Sequence, residues 1–253
     1  MLVTVIAALG VSGAMLDGVV APVWKATRTR QPALRLESSL AAAGQGVTLA
    51  LLGGFRALVA DGSWIRMWAL WERRDLPGVE TLIRLVTAID PRPVYFWING
   101  ARIVAYDLPV WRVEQGGGFA EMPAAEQERI SREQAQVALR QLDAAMAYHP
   151  ASAELWVERA NIQLNRLHDV LGAAASYRRA WEQPGAPYYA ARMHAELLRR
   201  GGLPREALDW LRQLYPKLPK TEEAARADVV LQRIRDLERE LRVPPELAFR
   251  PAQ

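Results

Sequence analysis

The chain has 253 residues, 51% of them apolar and 24% charged, which suits one globular domain or a short repeat array and excludes a disordered protein. A net charge of +4 is modest for this length and marks no nucleic-acid-binding surface. The absence of cysteine excludes disulfides, zinc ribbons and thiol catalysis, and the three histidines, His149, His168 and His194, lack metal-ligand spacing, so no metal or other cofactor is expected.

The first predicted element is an apolar run, Leu2 to Val23, carrying a single charge at Asp17 and followed by Trp24, Lys25, Arg28 and Arg30. A run of about 20 apolar residues spans a hydrocarbon core, and Trp with basic residues at its end fits an interfacial anchor. Residues 1–25 are therefore expected to be a membrane anchor or signal-like segment, with membrane contact through residues 2–24. Two alternatives stay open, a buried first helix and a cleavable signal peptide. Lys25, Arg28 and Arg30 would hold the carboxy-terminal side in the cytoplasm, and a basic leader ahead of the run would reverse that orientation. Residues 26–46, with Gly44 and Gly46, read as a linker.

A helical region is expected over 47–220. Val47–Ala60 is an apolar stretch broken by Arg56, too short to span a bilayer, and it continues through Trp64, Trp68 and Trp71. Arg56 and Asp61 in these apolar surroundings read as a buried structural ion pair or as capping contacts rather than catalytic groups. Pro77 marks the end of this helix. The next runs to Ile89, with Val79, Leu82, Ile83, Val86 and Ile89 at helical spacing. A second hairpin starts at Pro93 and packs through Val94, Trp97, Ala101, Val104 and Ala105. An insertion from Val113 to Pro123, with Gly116, Gly117 and Gly118, separates its helices, and the second helix is expected to restart at Ser131, where Ser131 and Gln134 have capping-box spacing. A third hairpin packs Trp156, Ala160, Leu164 and Leu167 against Ala173, Tyr177 and Ala180. A fourth carries Ala191, Ala195 and Leu198, then Ala207, Leu211 and Leu214. Residues 221–253 are expected to form a carboxy-terminal capping helix and tail, striped by Val230, Ile234, Leu237 and Leu241.

Several hairpins close on a proline, at Pro91, Pro150, Pro184 and Pro219, and the steps from Pro150 to Pro184 and from Pro184 to Pro219 are 34 and 35 residues. A period near 34 with paired helices indicates a stacked helical repeat. Trp156, Ala160, Ala173, Tyr177, Ala180 and Pro184 resemble the tetratricopeptide repeat, with one residue inserted between the helices. Ala195, Gly202, Ala207 and Pro219 resemble it again, although Leu211 and Leu214 replace the usual aromatic and small residues. Val79 and Val86 stand where alanine is usual, so the first copies are degenerate. The resemblance, covering about Trp64 to Pro219, implies an all-α fold: a short right-handed stack of about four hairpins, with an amino-terminal membrane helix and a carboxy-terminal capping helix. The stretch from Gly53 to Asp61, with Trp64, Arg66, Trp97 and Tyr106, also resembles a group of bacterial envelope proteins that carry a membrane helix ahead of such hairpins. That likeness implies membrane anchoring in the cell envelope and no particular activity.

In such arrays the first helix of each hairpin lines a concave groove. By position, the residues expected there are Trp64, Trp68 and Trp71, then Arg102 and Tyr106, then Asn161 and Asn165, then Arg192 and Arg199. Rings supply area, amides bond an extended backbone and guanidinium groups pair with carboxylates. The tryptophans also fit a core packed beneath Val47–Ala60. The expected partner is a protein, through an acidic or extended segment or as a membrane protein. His194 with Glu196 reads as surface, and no nucleophile–base arrangement or convergent acid pair is discernible, so the protein is expected not to be an enzyme. The expected role is a non-catalytic scaffold or adaptor near a membrane. An accessory subunit of a membrane enzyme or transporter complex is the alternative.

Overall fold

A computed structural model describes residues 54–251. The expectations for residues 1–25 and 26–46, and for the start of the helical region at 47, lie outside the described residues. Among the described residues there is no strand, as an all-α fold requires, and no helix is long and apolar enough to cross a membrane. They form two compact units, one of residues 54–66 and 84–90, the other of residues 67–83 and 91–251.

The helices, in order, are α1 (Arg56–Glu72), α2 (Leu76–Ile89), α3 (Val94–Arg102), a π-helical turn (Ile103–Asp107), α4 (Leu108–Gln115), α5 (Ala124–Tyr148), α6 (Ala153–Arg166), α7 (Val170–Trp181), α8 (Tyr188–Arg200), α9 (Pro204–Leu214) and α10 (Ala227–Glu240). In the first unit Ala60, Trp64, Val86 and Ile89 are buried, while Phe55, Leu58 and Ile65 are exposed. Arg56 and Asp61 are both exposed, which corrects the reading of a buried ion pair. Their positions on α1 turn them to water, so the apolar sequence around them says nothing about their own solvation.

The second unit contains the candidate site. Helix α1 ends at Glu72, Pro77 lies in the first turn of α2, and Asp75 Oδ1 caps that helix by accepting from the Gly78 N–H at 3.1 Å. Helix α3, the π turn and α4 follow one another directly. Pro109 lacks an N–H, and its ring opposes the carbonyl four residues earlier. The chain widens immediately before it, and the Leu108 N–H reaches back five residues to the Ile103 carbonyl. Gly100 sits where α3 crosses α5: a Cβ there would lie 2.5 Å from the Gln141 side chain. At the ends of this pair, the Trp97 indole N–H and the His149 Nε2–H both donate to the Pro91 carbonyl, at 2.8 and 2.9 Å.

Helix α5 begins at Ala124 rather than at Ser131, and Ser131 is an interior residue. The segment from Ala124 to Ile130 has no Gly or Pro, and its Glu126, Glu128 and Arg129 pair with one another and with Arg132 and Glu133 just beyond Ser131 at i,i+3 and i,i+4. Good helix formers with such pairs extend the helix through a capping-box spacing. The glycine run closes α4: Gly117 has φ of 116°, and the Gly118 N–H bonds the Val113 carbonyl at 2.9 Å. The same two-bond ending closes α8 at Gly202, and it recurs at Arg74 and Arg242, where an arginine holds the left-handed conformation.

Helices α6 to α10 pack each against the next around a core that includes Ala160, Ala173, Tyr177, Ala180, Ala195, Ala207, Leu211 and Leu214. Helix α6 is capped by the Ser152 hydroxyl and α7 by the Asp169 carboxylate. The terminal helix presents Val230, Ile234 and Leu237 to that core as expected, but it starts at Ala227 rather than near Thr221, after a left-handed Arg226. Arg212 bonds both Glu238 and the Leu247 carbonyl, and Glu238 accepts from the Phe249 N–H, which clips the tail onto α9 and α10.

Candidate functional site

Three helices of the second unit line an open cleft of about 330 Å³. Helix α3 supplies Tyr95, Ile98, Asn99 and Arg102, helix α6 supplies Glu154, Val157 and Glu158, and Pro187 and Tyr189 stand at the start of α8. On α3 and α6 these residues recur at three- and four-residue steps, so each helix turns one continuous strip toward the cleft. The volume lies at the small end for ligand pockets, ~300–1,000 Å³. It fits a side chain or a short segment better than a large cofactor.

The central contact is an ion pair. Arg102 donates from Nε at 2.9 Å and from Nη2 at 2.7 Å, both to Oε2 of Glu158. The carboxylate side chain is 3% exposed and the guanidinium side chain 54% exposed. Its bonds to Glu158 are the main cause that raises the Arg102 pKa, against burial, which lowers it. Glu154, in the first turn of α6, is exposed, and no ion pair holds it among the described residues. At the rim the Tyr95 and Tyr189 side chains are 54% and 43% exposed. Burial raises the Tyr189 hydroxyl above the ordinary phenol range; Glu158 and Glu154 also raise it and Arg102 opposes them, so that hydroxyl feels all three charges of the cleft.

A second polar cluster stands where the π turn meets α6. The Tyr106 hydroxyl donates to the Asn161 carbonyl at 3.4 Å and also meets the Asn165 side chain. The Asn161 Oδ1 accepts from the Tyr177 hydroxyl at 2.6 Å, and the Arg166 guanidinium lies 5.2 Å from the centre of the Tyr106 ring. Burial is the leading cause that pushes the Tyr177 hydroxyl up to about 12.

Of the nine residues expected to share a groove, only Arg102 lines the cleft. Tyr106, Asn161 and Asn165 come together in the neighbouring cluster, where the Asn161 oxygens serve the fold rather than the backbone of a guest. Trp64 is buried. Trp68 is 39% exposed and meets Trp71 edge-on, and the Trp71 indole N–H donates to Asp107 at 2.8 Å. Arg192 donates to the Ala224 and Ala225 carbonyls, closing the turn before α10, and Arg199 pairs with Glu196. The nine therefore separate because several spend their polar groups on neighbouring helices of their own chain. Sequence reasoning missed Glu158, Glu154 and Tyr189, since a charged residue between Val157 and Arg159 does not by itself show that Arg102 of α3 will meet it.

His194 is buried rather than on the surface. Its Nδ1–H donates to the Ala174 carbonyl at 2.8 Å, and its ring meets Trp210 edge-on at 4.6 Å. Among the described residues no group of three His, Asp or Glu side chains could hold a metal ion. No protein-family model matches this chain, and no curated protein matches it.

Proposed function

We propose that the protein is a non-catalytic adaptor: a tetratricopeptide-like stack of helical hairpins whose cleft between α3, α6 and α8 holds a segment of a protein partner. Residues 2–24 tether it to a bacterial membrane in this reading. The supporting observation is the cleft itself, lined by α3, α6 and the start of α8 and rimmed by the exposed rings of Tyr95 and Tyr189. Exposed aromatics around a concave site provide contact area at small entropic cost. The expectation of an acidic partner rested on Arg102, Arg192 and Arg199, each of which is bonded within the chain.

A photo-crosslinking amino acid at Tyr95 or Tyr189 in the full chain, expressed in cells, tests the docking site. A discrete adduct is expected from both positions and none from Arg132, exposed on α5. No adduct, or the same adduct from Arg132, overturns it. Deleting residues 1–30 is expected to release the protein from the membrane fraction with its helical circular dichroism intact. Loss of helicity and aggregation would place that segment in the core instead.

A further inference from the structure

We propose that the cleft between α3, α6 and α8 receives a cationic side chain, Arg or Lys, from a protein partner. The inference rests on the docking reading and assigns the chemistry of its ligand.

Three charges face this cleft, two carboxylates and one guanidinium. Arg102 gives two bonds to Glu158, which leaves the local excess negative and places it on Glu154. Both Arg102 bonds end on Oε2, and among the described residues nothing donates to Oε1 of Glu158, although this carboxylate is almost wholly buried and lines the cleft. Oε1 is not among the buried atoms that lack a partner, so it opens to the cleft and can accept an incoming N–H. Tyr95 and Tyr189 at the rim offer ring faces, and a guanidinium or ammonium within about 6 Å of a ring centre is held by its quadrupole. Ile98 and Val157 provide the apolar wall that the methylene stem of Arg or Lys covers while its charged head reaches polar groups. An anionic guest would meet Glu154 as a like charge and gain only the outward edge of an already paired Arg102.

The test uses full-length protein in detergent micelles with ¹³C-labelled tyrosine and three capped probes, acetyl-Gly-Arg-Gly-amide, acetyl-Gly-Gln-Gly-amide and acetyl-Gly-Glu-Gly-amide. The Arg probe is expected to shift the Tyr95 and Tyr189 ring resonances to saturation, more weakly as salt rises, and at least five-fold more tightly than the Gln probe. Glu154→Gln, an exposed position, is expected to reduce Arg-probe affinity five-fold or more with unchanged circular dichroism. The inference is overturned by a Glu probe that binds as well as the Arg probe, by an Arg probe without a saturating shift, or by unchanged affinity in Glu154→Gln. Crosslinking from Tyr189 does not depend on charge. An adduct there without Arg preference removes the cationic assignment alone, and its absence removes the docking reading.

Discussion

Arg102 and Glu158 lie 56 residues apart in the chain, and two hydrogen bonds from one guanidinium end on a single carboxylate oxygen. The pair is asymmetric in solvation: its anion is 3% exposed and its cation 54% exposed. The attraction itself is discounted because water reaches the arginine. What distinguishes the partners is the cost of leaving each one alone.

Arg102→Ala leaves a buried carboxylate without its donor, which costs about 2–3 kcal/mol. Glu158→Gln keeps an acceptor beside Arg102 and leaves a guanidinium that water can solvate, so about 1 kcal/mol is expected. Urea unfolding of both variants measures the difference. Equal losses, or a larger loss in Glu158→Gln, would show that the buried carboxylate does not govern this contact.

Burial lowers the His194 pKa, with Arg178 acting in the same direction, while the bond to Ala174 and the charges of Glu182 and Glu206 oppose. A histidine whose folded pKa lies below its unfolded value of about 6.5 contributes its full stability above that pH. The contribution is lost as pH falls from about 6.5 toward the folded pKa, by at most about 1.4 kcal/mol per pH unit. His194→Gln can still donate to the Ala174 carbonyl and does not titrate. The stability difference between wild type and this variant is expected to move against wild type between pH 7.5 and 5.5. A difference that stays flat over that interval contradicts the assignment.

Arg242 holds φ of 52° in the turn that ends α10. A side chain in the left-handed region costs roughly 1–2 kcal/mol, and glycine avoids that cost but loses more chain entropy on folding. Arg242→Gly is therefore expected to stabilise the protein by about 0.5–1 kcal/mol, read as a higher Tm. A lower Tm would show that the arginine side chain contributes more than its backbone strain removes.

Ala173, fully buried in the core of the second unit, is expected to tolerate no larger side chain. Ala173→Leu overpacks that site and costs about 1–3 kcal/mol. Thermal unfolding of this variant, set beside Leu171→Ala at a position 46% exposed, separates overpacking from helix propensity. An Ala173→Leu protein as stable as wild type would mean that the packing around Ala173 is loose.

The helices themselves were legible in the sequence. Val230, Ile234 and Leu237 mark a buried stripe at helical spacing, and Ala160, Ala173, Tyr177 and Ala180, which the sequence places on packed faces, are buried. Element ends were less legible: Ser131 had the spacing of a cap and lies inside α5. The π turn had one visible signal, Pro109 within an otherwise helical run, and it lies at Ile103–Asp107 just ahead of that proline.

The sequence by itself determined that the described chain is helical, which apolar stripes of helices such as α10 turn inward, and that cysteine chemistry is impossible here. Those properties are local, because side-chain spacing along one helix selects its apolar face. The tertiary structure alone decided that Arg102 meets Glu158, that Arg192 closes a turn rather than facing a cleft, and that His194 is buried against Trp210. Each outcome depends on which helix lies opposite. A charged or polar side chain on a helix surface has the same spacing whether water or another helix faces it, and only packing distinguishes the two.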